Sequence, residues 1–441
     1  MEKSKIIAVA GPSGVGKTTI SRMLATICGL DQTLILSGDD LHKWPRNHKK
    51  WLQYTHFDPA ANFLSLGSEH LNLLKRGNTI ARKKYDHNTG GFTKAFTVEP
   101  KKFIISEGLH SFYLEEDILL SDFKIYVETE SHLKDRWKIK RDIRKRGYNL
   151  SEVVEAINRR KVDEKKYILP QKKNADAIVT FVEKNKKIHL TYTLKNKKAE
   201  SLMRSLKNLY ENHEEFVDIS NDLSNRHDLT QNKGGNMSYK WRNSIIITSS
   251  GSSFNKITHT DGFTYCNSDG LQIFPEQKRP SMEVGVHCLI KEKSVLHTHP
   301  SYILALLCSK EGNQVIRDLF GEKYTFINYY CPGKELANNF PTSSSVVFAK
   351  NHGLFVGAKT LRECLNKTEE INETVKQFFL RNKKSKYLFP DACVLEEENL
   401  FLHGFVESII KESNLTIEYL KDEEVKKILN LEEEQYRKRD L

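Results

Sequence analysis

Lys5-Ile6-Ile7-Ala8-Val9-Ala10-Gly11-Pro12-Ser13-Gly14-Val15-Gly16-Lys17-Thr18-Thr19 joins a short apolar run to a glycine-rich loop and then to a helical pattern that ends near Gly29. The apolar run has no alternation, which is the pattern of a strand buried on both faces. Gly11-x4-Gly16-Lys17-Thr18 then stands between a strand and a helix, the context a phosphate-binding loop requires. Its glycines let backbone N–H groups wrap phosphates, and the helix N-terminus adds partial positive charge. Gly11, Ser13, Gly14, Val15, Gly16, Lys17, Thr18 and Thr19 are therefore the expected nucleotide-binding residues. Lys17 is placed to reach the terminal phosphates and Thr18 to hold Mg²⁺.

Working outward, further strands are expected at 33–37, 102–106, 123–128 and 176–181, with helices between them, including 130–146 and 151–163. Strand alternating with helix predicts a doubly wound parallel sheet covered on both faces, an α/β unit. Such sheets place their sites at the C-terminal ends of the strands. Asp39, in Ser37-Gly38-Asp39-Asp40, is the candidate base for a hydroxyl acceptor. Glu107 ends another strand and is the candidate Mg²⁺-side carboxylate. Arg141, Arg144 and Arg146 close a helix and are spaced to face a neutralising pocket or to cover one, where an unsupported basic run would read equally as a solvated helix face.

After about residue 185 the texture changes. The basic stretch Lys184 to Lys198 contains the strand-like IHLTYTL, followed by a helix near 199–211. A boundary at Asn212-His213 divides the chain into 1–211 and 212–441. A second helix, EEFVDISNDL, leads to the polar segment Gln231–Ser238. Strands are then expected at 244–248, 294–297 and 345–349, and helices at 300–309, 360–379, 402–413 and 422–438.

The second half carries His297-Thr298-His299-Pro300 and Asn351-His352-Gly353. Residues two apart on a strand share a face, so His297 and His299 can share one metal, with His352 as a third ligand. Three imidazoles with an open position are a catalytic metal set, and Zn²⁺ suits them. Such a metal polarises a carbonyl, and a nearby carboxylate, for which Glu283 is the candidate, moves the proton beside it to give an enediolate. Gly234-Gly235-Asn236-Met237-Ser238 and Thr248-Ser249-Ser250-Gly251 are small, donor-rich turns of the kind that hold a phosphate monoester.

Composition narrows the class. In 441 residues, 38% hydrophobic and 10% aromatic, there is material for two or three cores. The formal charge is +12, but pairs such as Lys49-Lys50 and Lys83-Lys84 are dispersed, which favours attraction of phosphorylated small molecules over a nucleic-acid partner. No run of 18 apolar residues appears, so no membrane span is expected. The start runs straight into a strand, leaving no room for a signal peptide, so a cytoplasmic location is expected. The seven cysteines contain no CxxC pair and read as reduced thiols.

Residues 1 to about 182 resemble the uridine kinase and phosphoribulokinase family. The likeness lies in Ser37-Gly38-Asp39-Asp40, His56-Phe57-Asp58-Pro59, Tyr85-Asp86-His87, Glu107-Gly108-Leu109-His110, Arg141-Asp142-Ile143-x-x-Arg146-Gly147 and Pro170-x-Lys172-Lys173-x-Ala175-Asp176. The resemblance implies ATP and Mg²⁺, Asp39 as base, and Asp58, Tyr85 and His87 on the acceptor. It also implies Arg141 and Arg146 on a lid helix. Lys138 and Tyr148 stand where uridine kinases carry arginines, and Tyr85-Asp86-His87-Asn88-Thr89-Gly90 departs from their nucleoside motif. Both departures point to a primary hydroxyl on a sugar or sugar phosphate.

Residues 212–380 resemble the class II aldolase/adducin family through Gly234-Gly235-Asn236-x-Ser238, Thr248-Ser249-Ser250-Gly251, Pro280-Ser281-Met282-Glu283, His297-x-His299 and Asn351-His352-Gly353. This implies an α/β/α unit with a mostly antiparallel central sheet. It also implies that Asn236, Ser250, Gly251 and Ser281 take substrate phosphate, that Glu283 is the acid/base, and that His297, His299 and His352 bind zinc. Met282 and Ser249 replace a serine and a proline of the family pattern. The family also holds dehydratases, metal-free adducins, and 4-epimerases, which usually carry Asp at the Glu283 position. Tyr329, Tyr330, Tyr387 and Tyr436 are all candidates for the proton donor to a leaving aldehyde. The expectation is a bifunctional carbohydrate enzyme. One half phosphorylates a sugar hydroxyl. The other cleaves or forms a phosphorylated ketose through zinc chemistry, with glycerone phosphate as the three-carbon piece. The alternatives are a dehydratase or epimerase, or an oligomerising scaffold for the kinase. Family resemblance favours a homo-oligomer, a tetramer.

Overall fold

The computed structural model describes residues 3–87, 89–146, 148–231, 234–381 and 400–418. The chain divides into two compact units, Met1–Glu211 and Asn212–Leu441. Among the described residues no helix is long and apolar enough to cross a membrane.

In the first unit β1 (Lys5–Ala10) leads through the glycine loop into α1 (Lys17–Cys28) and β2 (Thr33–Ser37). Helix α2 (Leu64–Lys75) follows, then two short antiparallel ribbons, β3 (Ile80–Arg82) with β6 (Phe96–Val98) and β4 (Tyr85–Asp86) with β5 (Gly91–Phe92). Next come β7 (Phe103–Gly108), α3 (Glu115–Leu120), β8 (Phe123–Thr129), α4 (Ser131–Arg146), α5 (Leu150–Asp163), β9 (Ala177–Lys184) and β10 (Lys187–Leu194). The sheet order is β10-β9-β8-β1-β7-β2. All its pairs are parallel except β9 with β10, a tight hairpin through Asn185 and Lys186.

The apolar run quoted first is the centre of this sheet. β1 pairs with β7 and β8, and Ile6, Ala8, Val9 and Ala10 are fully buried. Each large aliphatic side chain so buried contributes about 1.5–3 kcal/mol. Helix α1 buries Ile20, Met23, Leu24 and Ile27, the spacing of one helical face. It stops at Gly29, whose φ of 100° leaves the helical region.

Helix α6 spans Glu200–Ser224, where two helices parted at Asn212-His213 were expected; the boundary between the units falls inside a continuous helix. Asn212-His213 holds neither proline nor glycine, and His213 is fully buried, 4.5 Å from the Phe263 ring. Burying that ring favours continuing the helix over a solvated turn.

The second unit contains β11 (Asn236–Trp241), β12 (Ser244–Thr248), β13 (Phe263–Asn267), α7 (Val284–Leu289), β14 (Ser294–Thr298), α8 (Ser301–Leu307) and α9 (Gly312–Phe320). It continues with β15 (Thr325–Ile327), α10 (Lys334–Asn338), β16 (Val346–Ala349), β17 (Gly353–Ala358), α11 (Leu361–Arg381) and α12 (Leu400–Glu412). The sheet order is β13-β12-β11-β14-β17-β16-β15, antiparallel except for β15 with β16. Helix α11 packs on β14 and β17 through Leu361, Cys364, Leu365 and Val375, all buried. Mixed α/β architecture, parallel first and mostly antiparallel second, is thus the fold of the chain. The expected polar turn ending at Ser238 is shorter than read. Asn236, Met237 and Ser238 already belong to β11, with Asn236 paired to His297 and Ser238 to both Ile247 and Val295. The helix expected at 422–438 lies outside the described residues.

Candidate active sites

In the first unit the ends of β1, β2 and β7 meet. Ser37 lies in register with Glu107, so the loops after these strands converge. Gly11 has φ 148°, and a Cβ there would collide with the carbonyl oxygen of Val127, so the loop can pass β8 only with glycine. Lys17 turns back on the loop, donating from Nζ to Gly11 O at 2.9 Å and Pro12 O at 2.7 Å. Burial brings its ammonium down to about 8 against the pull of Glu107 and Asp39. Thr18 Oγ1 donates to Glu107 Oε1 at 3.2 Å, and Ser21 Oγ to Oε2 at 3.2 Å. Burial raises the Glu107 carboxyl above its ordinary range, partly offset by Lys17. Thr18 and Glu107 together therefore present the oxygens a Mg²⁺ ion favours. Val15 is buried and Thr19 half-buried at the start of α1.

Asp39 opens a single 3-10 turn after β2 and is half-buried. His87 Nε2 lies 3.1 Å from Asp39 Oδ2, and His42 Nε2 lies 3.6 Å from Oδ1. The neighbouring Asp40 is spent on structure: it accepts from Arg82 Nε at 3.1 Å and from the Tyr85 amide at 2.8 Å. The two adjacent aspartates thus divide their roles. Tyr85 is buried, its ring 5.0 Å from His87 and 5.5 Å from His42. Arg46 donates to His87 O and hydrogen-bonds the Tyr85 hydroxyl. Asp58 caps a 3-10 turn, accepting from the Ala60 amide at 2.8 Å.

Helix α4 closes on the loop from the other side. Arg141 Nη2 reaches Ser13 Oγ at 3.5 Å, and a Cβ on Gly14 would lie 3.1 Å from Lys138 Cβ. Lys138 and Asp142, both buried, pair at 2.7 Å, and Arg141 Nε donates to Asp142 at 2.9 Å. Burial opposes ionisation of Asp142, but Arg141 and Lys138 hold its carboxyl at about 2. Burial and Arg160 bring Lys138 to about 8. The Arg146 and Arg144 side chains lie outside the described residues. Ser21, Arg46, His42 and Lys138 were not singled out as site residues in the sequence. For Lys138 the readable signals were its place at a uridine-kinase arginine and its spacing of four from Asp142 on a helix.

In the second unit β14 delivers His297, and His299 follows one residue past its end. The turn Lys350-Asn351-His352 between β16 and β17 delivers His352. Asn351 adopts φ 52°, a left-handed conformation that asparagine tolerates. Candidate ligand atoms of His297, His299 and His352 all lie within 4.8 Å of one another. His297 Nε2 and His299 Nε2 face each other at 2.9 Å. His297 Nδ1 lies 3.0 Å from Leu354 O, which keeps its proton on Nδ1 and leaves Nε2 a bare lone pair. The bare Nε2 of His297, with two further imidazoles clustered beside it, fits a divalent metal of the zinc type.

Glu283 precedes α7, 4% exposed, and lies against this set. Its Oε1 is 2.8 Å from His352 Nε2, its Oε2 is 3.4 Å from His297 Nε2, and Asn236 Nδ2 donates to Oε2 at 2.6 Å. Burial would raise this carboxyl, but His297, His352 and Asn236 outweigh it and hold it well below the ordinary range. Burial likewise lowers His297 to about 4 against the pull of Glu283. The expected phosphate ligand Asn236 is thus turned toward the carboxylate. Ser250 and Ser281 are buried nearby in sequence-distant loops tied by the Ser250 amide to Arg279 O at 2.8 Å and the Ser281 amide to Thr248 O at 3.0 Å. Gly251 follows with φ 71°. His287 is fully buried, with Nδ1 2.7 Å from Ser238 Oγ. Tyr329 and Tyr330 are half-buried, and Tyr387 and Tyr436 lie outside the described residues.

Residues 6–187 match the phosphoribulokinase/uridine kinase family, and residues 214–379 match the class II aldolase and adducin N-terminal domain. The uridine kinase of Borrelia garinii subsp. bavariensis is 32% identical over 179 residues, covering 40% of this chain and 86% of that protein. The chain belongs to the phosphoribulokinase and uridine kinase family. The phosphoribulokinase of Synechocystis sp. is 37% identical over 179 residues, 41% of this chain and 54% of that protein, so the chain spans about half the length of that relative. A solved class II aldolase domain from Thermoplasma acidophilum is 23% identical over 37% of this chain and 92% of that one, with a TM-score of 0.34. By the two family matches, a kinase-type domain is followed by a class II aldolase-type domain.

Proposed function

We propose that the chain is a bifunctional carbohydrate enzyme. The kinase-type unit transfers the ATP γ-phosphoryl group to a sugar hydroxyl. The aldolase-type unit makes or breaks a carbon–carbon bond in a phosphorylated ketose. What carries the reading is Glu283, a deeply buried carboxylate set between Asn236 and two of three clustered imidazoles. Burying a carboxylate is costly, and carboxylates so placed beside convergent side chains are candidates for function.

In the kinase unit the loop amides and Lys17 hold the phosphates, Thr18 and Glu107 provide for Mg²⁺, and Asp39 accepts the proton of the acceptor hydroxyl. His87 and His42 fix the Asp39 carboxylate. Arg141 reaches Ser13 and offers charge to the transferring phosphoryl group. In the aldolase unit His297, His299 and His352 would hold Zn²⁺, which when bound supplies a Lewis acid for a substrate carbonyl. Glu283 takes the proton from the carbon or hydroxyl beside that carbonyl and returns it. Asn236 holds Glu283 Oε2 and so leaves Oε1 to face the substrate side with His352. Ser250, Gly251 and Ser281 are the donors proposed for substrate phosphate.

A screen of ketoses and aldoses with ATP, reading ADP release and then triose phosphate, tests both halves. Purified protein that holds no divalent metal and gains no lyase activity from added Zn²⁺ would contradict the aldol reading.

A further inference from the structure

Beside Asp39 lies a cavity of about 40 Å³ between the ends of β2 and β7, helix α2 and the first turn of α3. On the same measure a water takes roughly 10–15 Å³, so the space suits about three waters or the hydroxyl-bearing end of a small ligand. Most of its polar walls are already spent on protein partners. Arg82 donates to Asp40 at 3.1 Å and to Ser37 O at 2.6 Å. His42 Nδ1 pairs with Asn62 Oδ1 at 2.8 Å, and His110 Nε2 with Phe57 O at 2.9 Å.

Asp117, on α3, differs. It is 6% exposed, and its carboxyl has one side-chain partner among the described residues, Ser68 Oγ, which donates to Oδ1 at 2.8 Å. A carboxylate offers about four acceptor sites, and burying one with a single bond is costly. Burial lifts the group to about 7 despite Ser68, which makes it both a donor and an acceptor around neutrality. A phosphate dianion is poorly matched here, since among the described lining residues the arginine, Arg82, is bound to Asp40. A neutral hydroxyl is complementary.

We infer that this cavity is a subsite for the phosphoryl acceptor and that Asp117 is a specificity-determining residue, reading a hydroxyl on an uncharged polyol end. Any phosphate the acceptor carries then lies away from this end. The inference rests on the kinase reading of the first unit and deepens it. Ser68 is a positioning residue, since it orients the Asp117 carboxyl without facing the acceptor itself.

The test takes the acceptor that the wild-type full chain phosphorylates best in the sugar screen. Asp117→Asn is expected to raise its KM about tenfold, the loss of one good hydrogen bond, with kcat within about threefold and the KM for ATP unchanged. Ser68→Ala should move the acceptor KM the same way by a smaller factor. Deoxy analogues of that acceptor then separate recognition from mere support of the fold. One deoxy position should cost the wild type as much as Asp117→Asn costs the parent acceptor, and Asp117→Asn should no longer distinguish that analogue from the parent. Unchanged acceptor KM in the variants, or additive effects at every deoxy position, would overturn the subsite while leaving the kinase reading intact. Should Asp117→Asn not fold, Ser68→Ala carries the same cycle. No ADP release from wild type with any acceptor would overturn the kinase reading and the subsite together.

Discussion

Glu283 and Asp117 are both buried carboxylates, and their surroundings drive them in opposite directions. Imidazoles and an amide donor keep Glu283 ionised, so Glu283→Gln should cost about 10²–10⁴ in lyase kcat, the range of a lost acid/base, while bound metal measured by atomic absorption stays near wild type. Asp39→Asn should lower kinase kcat over the same ~10²–10⁴ range with ATP affinity unchanged, read by steady-state kinetics. Asp117 pairs with no cation among the described residues, and its folded-state value of about 7 stands above the usual carboxylate value of 3.8. Between those two values the folded protein binds the extra proton, so stability falls as pH rises through the window and the penalty is complete above about 7. Asp117→Asn removes that penalty. Thermal melts should show the variant more stable than wild type at pH 8 by about 1–3 kcal/mol and equal to it near pH 4. Of the residues read from the sequence, Lys17, Thr18, Glu107 and Asp39 were legible because local motif and strand-end position fixed them. The bond from Asn236 to Glu283 was not, since it spans 47 residues and depends on strand pairing.

Among elements, those with strong periodicity read well and those defined by their neighbours did not. The run at β1 and the amphipathic spacing of α11 announce themselves. Strand β17 begins at Gly353, inside the histidine motif, and β13 is a five-residue strand marked locally just by the Asp261-Gly262 turn before it; the state of each is settled by pairing across the sheet. Helix α6 shows the reverse error, in which a polar pair, Asn212-His213, resembled a break although His213 is buried. Asn212→Pro should therefore cost about 3 kcal/mol and reduce the helical circular-dichroism signal, which a pre-existing turn there would spare. Helix α4 holds the buried Lys138–Asp142 pair, and Lys138→Ala would remove the 2.7 Å ion pair from a buried carboxylate. A destabilisation of about 3–5 kcal/mol by denaturant titration is expected.

At the scale of the molecule, the two proposed sites draw on residues of different units, Lys17, Asp39 and Glu107 in the first and Glu283, His297, His299 and His352 in the second. Lys17→Ala should abolish ATP turnover with lyase activity intact, and His297→Ala should do the converse, both measured on the full chain; loss of both activities from either change would contradict separate sites. The net charge of +12 favours anionic substrates at a distance, so kcat/KM for phosphorylated substrates should fall with added salt more than for neutral ones. Gly353 adds a genetic dimension. A Cβ there would press to 2.7 Å from His299 Cδ2 and 2.9 Å from His297 Cε1, and to 2.6 Å from the Thr298 carbonyl oxygen. Every missense change of a glycine codon introduces at least that one carbon. Any missense change at position 353 is therefore expected to disturb the histidine cluster while leaving the residues of the first unit untouched.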